Sequence, residues 1–135
     1  GYSTKDDQCI LQCFDALELE RIRNQLKSEL FLVQLMEFPE QKNLLQFYAS
    51  YADGIGPSYK HLISSKTTSG FSFTSLVEES HNLSLVVHPY TFRKDSLEEF
   101  DSFQQMIDVI IHKAGADGGF TDFPDRMKEI LETKL

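Results

Sequence analysis

Phe31-Leu32-Val33-Gln34-Leu35-Met36 is an almost unbroken apolar run, and it constrains the fold more than any other segment. A strand that is apolar on both faces must be covered on both, as strands inside parallel sheets are. Four further short runs have the length of strands: Cys9 to Phe14, Asp53 to Pro57, Leu83 to His88 and Asp117 to Thr121. The stretches between them carry helical signals. Asp15 followed by Glu18 is a D-x-x-E start, with Leu19, Ile22, Leu26 and Leu30 at helical spacing behind it. Pro39 suits a first helical turn, with Leu44, Leu45, Tyr48 and Tyr51 or Ala52 as the buried stripe.

Ser58 to Ser64 reads as a weak helical turn, Lys66 to Phe73 as a polar surface loop and Thr74 to His81 as a short helix. Ser96 and Glu99 predict a capped helix with Phe100, Phe103, Ile107, Ile110 and Ile111 on one face and Gly115 as its stop. Pro124 opens the last helix, with Met127, Ile130 and Leu131 inside. The reading is five β-then-α units with no hairpin between neighbouring strands. Alternation of this kind implies an α/β fold with parallel strands and right-handed crossovers. Two architectures fit it: an open doubly wound sheet, or part of a (β/α)8 barrel. A full barrel averages roughly 31 residues per unit, so 135 residues make one unit of structure, residues 1–135, that cannot close a barrel alone.

The formal net charge is −8, which argues against non-specific nucleic-acid binding and against a seat on an anionic membrane surface. No stretch approaches the roughly 18 apolar residues of a membrane span. The N-terminus is polar and is no signal peptide. It lacks an initiator Met, so the chain is expected to be processed or a piece of something longer. Cys9 and Cys13, if extended, lie about 13 Å apart, too far for the roughly 4.4–6.8 Å of a disulfide. They read as two small, partly buried thiols.

Ligands of either architecture bind at the C-terminal ends of the strands. His88 directly follows Val86-Val87 and is expected to point into a strand-end pocket, whereas His61, His81 and His112 read as surface residues. Glu99-Phe100-Asp101 has the spacing of a metal pair, but on a helix residues two apart do not face each other, so it is rejected. No HExxH, EF-hand loop, Walker A or G-x-S-x-G motif occurs, and Gly54-x-Gly56 is too short for a dinucleotide fingerprint. Residue chemistry alone therefore stops at an α/β domain with a strand-end pocket.

Six ordered blocks go further. They are Gly1 to Asp7, Leu11 to Ala16, Leu32 to Leu35, Tyr51 to Tyr59, Val86 to Arg93 and Phe120 to Asp125. Together they resemble the C-terminal half of the glycerophosphodiester phosphodiesterases, most of all the bacterial periplasmic type, with a shorter segment between Glu37 and Tyr48. The resemblance implies a partial (β/α)8 TIM barrel, about the last five β/α units. It implies hydrolysis of glycerophosphodiesters to glycerol 3-phosphate and an alcohol, in a periplasmic or secreted setting.

The family's chemistry uses two histidines as acid and base and a divalent cation, often calcium, held by carboxylates. The metal offsets the phosphodiester's charge while the histidines move protons. Those groups lie in the family's N-terminal half, in a His-Arg-Gly after the first strand, a Glu-x-Asp after the second, another His and a further Glu, and none has a counterpart here. The resemblance thus implies no catalytic and no metal-binding residue in this chain. Gln12, Phe14, Gln34, His88, Tyr90 and Asp122 are expected to line the other wall of the pocket. Arg93 and Lys94 are nearby basic residues that read as solvated. The alternatives are a non-catalytic half-barrel that binds a partner or self-associates through open sheet edges, and a complete open α/β binding protein.

Overall fold

Asp15 sits ahead of an apolar helical stripe, and its carboxylate accepts the backbone N–H groups of Leu17 and Glu18, closing the N-terminus of helix α1 (Ala16–Asn24). The computed structural model describes residues 1–133. Along them run strands β1 (Ile10–Cys13), β2 (Phe31–Met36), β3 (Gly54–Pro57), β4 (Ile63–Thr67), β5 (Gly70–Phe73) and β6 (Val86–Val87). The further helices are α2 (Leu45–Ala49), α3 (Leu76–Asn82), α4 (Phe103–Ile107) and α5 (Pro124–Thr133), with a 3₁₀ turn over Pro39–Leu44 leading into α2. Among the described residues no helix is long and apolar enough to cross a membrane.

Strands β1, β2, β3 and β6 form one parallel sheet in that order, which is also their order along the chain. The alternation of side chains along each strand sorts the residues onto two faces. Leu32 and Met36 of β2, Ile55 of β3 and Val87 of β6 join a core built with Leu19, Leu45, Tyr48, Leu76, Ile107, Ile110, Met127 and Ile130 from all five helices. Val33 and Leu35 are buried but lie outside that cluster, on the opposite face. All helical cover is thus on one side.

The opposite face is covered only by its own side chains. A Cβ on Gly56 would lie 2.6 Å from Leu35 Cδ2 and 3.3 Å from Val33 Cγ1, so these two lean over a β3 that has no side chain there. Ile10, on the outermost strand, has no such neighbour and stays 46% exposed.

At the N-terminal end of the sheet, Asp53 is the junction. Its carboxylate accepts from Leu32 N–H at 2.9 Å and from Arg23 at 2.7 Å, and it also pairs with Lys5. Arg23 in turn donates to the carbonyls of Tyr51, Ser28 and Leu30. Asp53 O accepts from Val86 N–H, so one residue ties α1, β2 and β6 together.

Several expectations need correction. The stretch Lys66 to Phe73 is not a loop: β4 and β5 pair antiparallel, with Gly70 at φ +128° in the turn. β4 is mostly polar and exposed, and the apolar alternation is confined to Phe71 and Phe73 of the short β5, which lean on the core, so the pattern is too brief to mark a strand. Ser96 does not cap a helix. Ser102 does, accepting from Gln105 N–H, and α4 then widens into a π-helical stretch over Asp108–Lys113 before Gly115 (φ +87°) ends it.

Leu26 and Leu44 face solvent, because α1 ends at Asn24 and the turn before α2 is 3₁₀ rather than α. The fourth strand shrinks to Val86–Val87, because the chain turns at Ser84 (φ 59°). Asp117 to Thr121 forms no full strand. It runs beside residues 87–92 through Asp117 N–H to Val87 O, Phe120 N–H to Pro89 O and a parallel bridge from Phe92 to Thr121. Gly119 permits this closeness, since a Cβ there would lie 2.2 Å from the Phe92 ring. Cys9 and Cys13 are both free and half-buried.

The Asp53 side chain is only 13% exposed and Arg23 18%, so solvent screens their contact poorly. Asp53→Ala takes the carboxylate from Arg23, which keeps its three carbonyl acceptors, and leaves Leu32 N–H without its acceptor, and the expected loss is about 1.5–3 kcal/mol. Urea unfolding of the two proteins side by side measures it.

Candidate functional site

The C-terminal ends of the parallel strands carry a rim of polar and aromatic side chains. Phe14, just past β1, is 53% exposed and meets the Tyr90 ring edge-on at 6.0 Å between centroids. Tyr90 is held from below, its hydroxyl donating to Met36 O at 2.6 Å. Burial, and then the charge of Glu37, push the Tyr90 phenol above its ordinary range, so it stays a neutral donor at physiological pH.

Gln34 lies beneath this rim and is fully buried. Its amide nitrogen donates to Phe14 O and Leu35 O, both at 3.0 Å, and its carbonyl accepts the Tyr51 hydroxyl at 2.6 Å. Burial raises the Tyr51 phenol so far that it acts only as a donor. Gln34 therefore reaches the rim through the Phe14 backbone and not through its own side chain.

His88 follows β6 on the face away from the helices. Its ring stacks on Phe31 (6.3 Å, 17° between planes) and meets Phe120 edge-on at 6.3 Å. Gly118 leaves room for it: a Cβ there would lie 3.1 Å from the imidazole. Burial lowers the His88 pKa, and the opposing pull of Asp117 is weaker, so the ring is neutral at pH 7.

The six residues expected to line one wall thus divide. Phe14, Gln34 and Tyr90 form one connected group. His88 belongs to an aromatic nest with Phe31 and Phe120. Gln12 is exposed on β1. Asp122 stands apart at the surface in an ion pair with Arg93 (3.1 Å), which also pairs with Asp95, while Lys94 lies over the Phe123 ring at 4.8 Å. Sequence reasoning missed the roles of Tyr51 and Phe31. Their spacing marked them only as core, and nothing in a sequence shows which polar group a buried tyrosine meets.

Among the described residues, no three His, Cys, Asp or Glu side chains come together to hold a metal ion. Glu99-Phe100-Asp101 lies in an irregular segment rather than a helix, with Phe100 buried between two carboxylates that gather no third ligand. The residues present do not fit a divalent cation. They offer aromatic surface, one neutral imidazole and one phenol.

A family model described as the glycerophosphoryl diester phosphodiesterase family matches residues 2–126. A glycerophosphodiester phosphodiesterase of Haemophilus influenzae is 35% identical, over 98% of this chain and 44% of its own length. One of Treponema pallidum is 25% identical, over 93% of this chain and 43% of its own. The chain therefore spans about half the length of the curated relatives it matches. The alignment to the Haemophilus protein covers 161 positions, more than this chain has, so that relative carries an insertion. Among solved structures, one from Agrobacterium tumefaciens described as a glycerophosphoryl diester phosphodiesterase shares the fold. Its TM-score is 0.60 at 11% identity, over 91% of this chain and 44% of that one.

Two outcomes follow from the site. Gln34→Leu strands the Tyr51 hydroxyl and the Phe14 carbonyl, and each orphaned group costs about 1–3 kcal/mol; chemical denaturation against wild type reads the sum. His88 has a pKa lowered by folding, so its contribution to stability is complete above the unfolded imidazole value of about 6.5. That contribution is lost as pH falls through the lower folded value. Melting temperatures at pH 7.5 and 5 are expected to differ less for His88→Gln than for wild type.

Proposed function

The chain belongs to the glycerophosphoryl diester phosphodiesterase family, and from that premise we propose that it forms the last five β/α units of a (β/α)8 barrel hydrolase. The reaction is hydrolysis of a glycerophosphodiester to glycerol 3-phosphate and an alcohol. The observation that supports the barrel most is the one-sided winding of the sheet. A doubly wound sheet reverses its strand order and puts helices on both faces. Here strand order follows chain order and the helices share one core on one side. The bare face, with Ile10 and the Phe31–His88 stack, is then the barrel interior.

Within this reading the chain supplies one wall of the pocket. Phe14 and Tyr90 form an apolar rim that shapes the opening. His88, neutral and held between Phe31 and Phe120, is placed to donate or accept one hydrogen bond. Gln12 and Asp122 stand at the two ends of the row. No catalytic step is assigned to any of them. In this proposal the cation and the proton-transfer histidines of the reaction are supplied from outside this chain. A periplasmic or secreted location belongs to the same proposal.

The test compares the 135-residue chain with the protein extended by its upstream reading frame. Glycerol 3-phosphate release from glycerophosphocholine is followed with an excess of glycerol-3-phosphate dehydrogenase. The extended protein is expected to turn over and the isolated chain is not. Turnover by the isolated chain would contradict the placement of the catalytic groups. Inactivity of both, with the isolated chain a stable dimer, would favour a half-barrel that self-associates.

A further inference from the structure

Next to the rim, the 3₁₀ turn after β2, the turn after β3 (Tyr59–Leu62) and the start of α3 enclose a cleft of about 520 Å³, within the range of small-molecule sites. Its apolar walls include Met36, Ile63 and Leu76. Its polar edge brings together Lys42, Lys60 and His61, with Glu40 the one carboxylate among the lining residues. With Glu98, the partner of Lys60, the two lysines are matched by two carboxylates, whereas the chain as a whole carries a net charge of −8.

Three details single the cleft out. Lys42 is exposed and forms no ion pair or hydrogen bond among the described residues. Lys60 pairs with Glu98 at 2.7 Å, but both side chains are about half exposed, so an incoming anion competes with that contact on nearly equal terms. His61 is half-buried, not the surface residue its sequence position suggests, and its Nδ1 is shielded from solvent without a hydrogen-bond partner among the described residues. Buried polar atoms are nearly always partnered, but this one is closed to the cleft as well as to solvent, so His61 serves as a reporter beside the cleft and not as a ligand contact.

We propose that this cleft binds a small phosphomonoester carrying a short apolar body, its phosphate between Lys42 and Lys60 and its alkyl part against Met36, Ile63 and Leu76. Two flexible ammonium groups suit a tetrahedral dianion, which they approach as point charges without the planar fork a carboxylate favours. The apolar walls separate such a ligand from free phosphate, which gains nothing from them. Nothing in this assignment depends on hydrolytic activity.

The test uses butyl phosphate and inorganic phosphate as probes on the whole protein, by isothermal titration at low salt and by the ring resonances of labelled histidine. Butyl phosphate is expected to bind at least fivefold more tightly than inorganic phosphate and to shift His61 but not His81 or His112. Lys42→Ala changes an exposed, uncommitted side chain and is expected to keep the fold while weakening butyl phosphate at least fivefold. Equal binding of the two probes, no binding of butyl phosphate, or an affinity untouched by Lys42→Ala would overturn the site. These results are independent of glycerophosphocholine turnover, so this proposal and the hydrolase reading can fail separately.

Discussion

A parallel strand buries two faces, and the helices that connect such strands can cover only the side on which they wind. In this chain all five helices meet on one side, around Leu32, Met36, Ile55 and Val87. The other side has to manage without a layer of its own. It does so locally where β3 offers glycine: Val33 and Leu35 fold over Gly56 and are buried at 0% and 9% exposure. At β1 no such neighbour exists, and Ile10 and Phe14 remain about half exposed. The position of every strand-end side chain follows from this asymmetry. Residues of one parity serve the core, and those of the other face the open side.

The rim inherits its order from the core side. Gln34 has the parity of Leu32 and Met36, so its amide points toward the helices and finds Tyr51. From there it holds the Phe14 carbonyl, and so fixes the turn that carries the Phe14 ring against Tyr90. A single buried amide thus couples the helical layer to the C-terminal end of the sheet. At the opposite end Asp53 and Arg23 fix the register of β2 against β3 and β6. Both devices are polar groups in shielded places, with several partners each.

Much of this was legible in the residues. The bounds of β2 and the Asp15 cap follow from an apolar run and a capping residue, both local signals. The stop at Gly115 follows from the need for positive φ. What escaped was decided by tertiary contact. β4 is mostly polar and exposed, and Phe71 and Phe73 of the four-residue β5 are too brief an alternation to stand out, so the hairpin looks like a loop. The stretch Asp117 to Thr121 is pinned by three backbone–backbone bonds to residues 87–92 without a regular ladder, because glycines let Phe92 and His88 pack against it. For the candidate site, strand-end position located Phe14, Tyr90 and His88 at the ends of the strands. It did not distinguish the two faces of β2, so Gln34 emerges as a buried tie and not an exposed wall. The ordered blocks carried the family, which no single motif in the chain does.

The central claim is that the face bearing Ile10, Phe31 and His88 is the inside of a barrel completed by further β/α units. An experimental structure of the whole protein that contains this chain tests it most directly. The expected result is additional parallel strands joined to the β1 edge and to the Phe120–Thr121 edge, closing over the Phe31–His88 stack. Helices packed on that face, or a second copy of this chain seated on it, would contradict the claim.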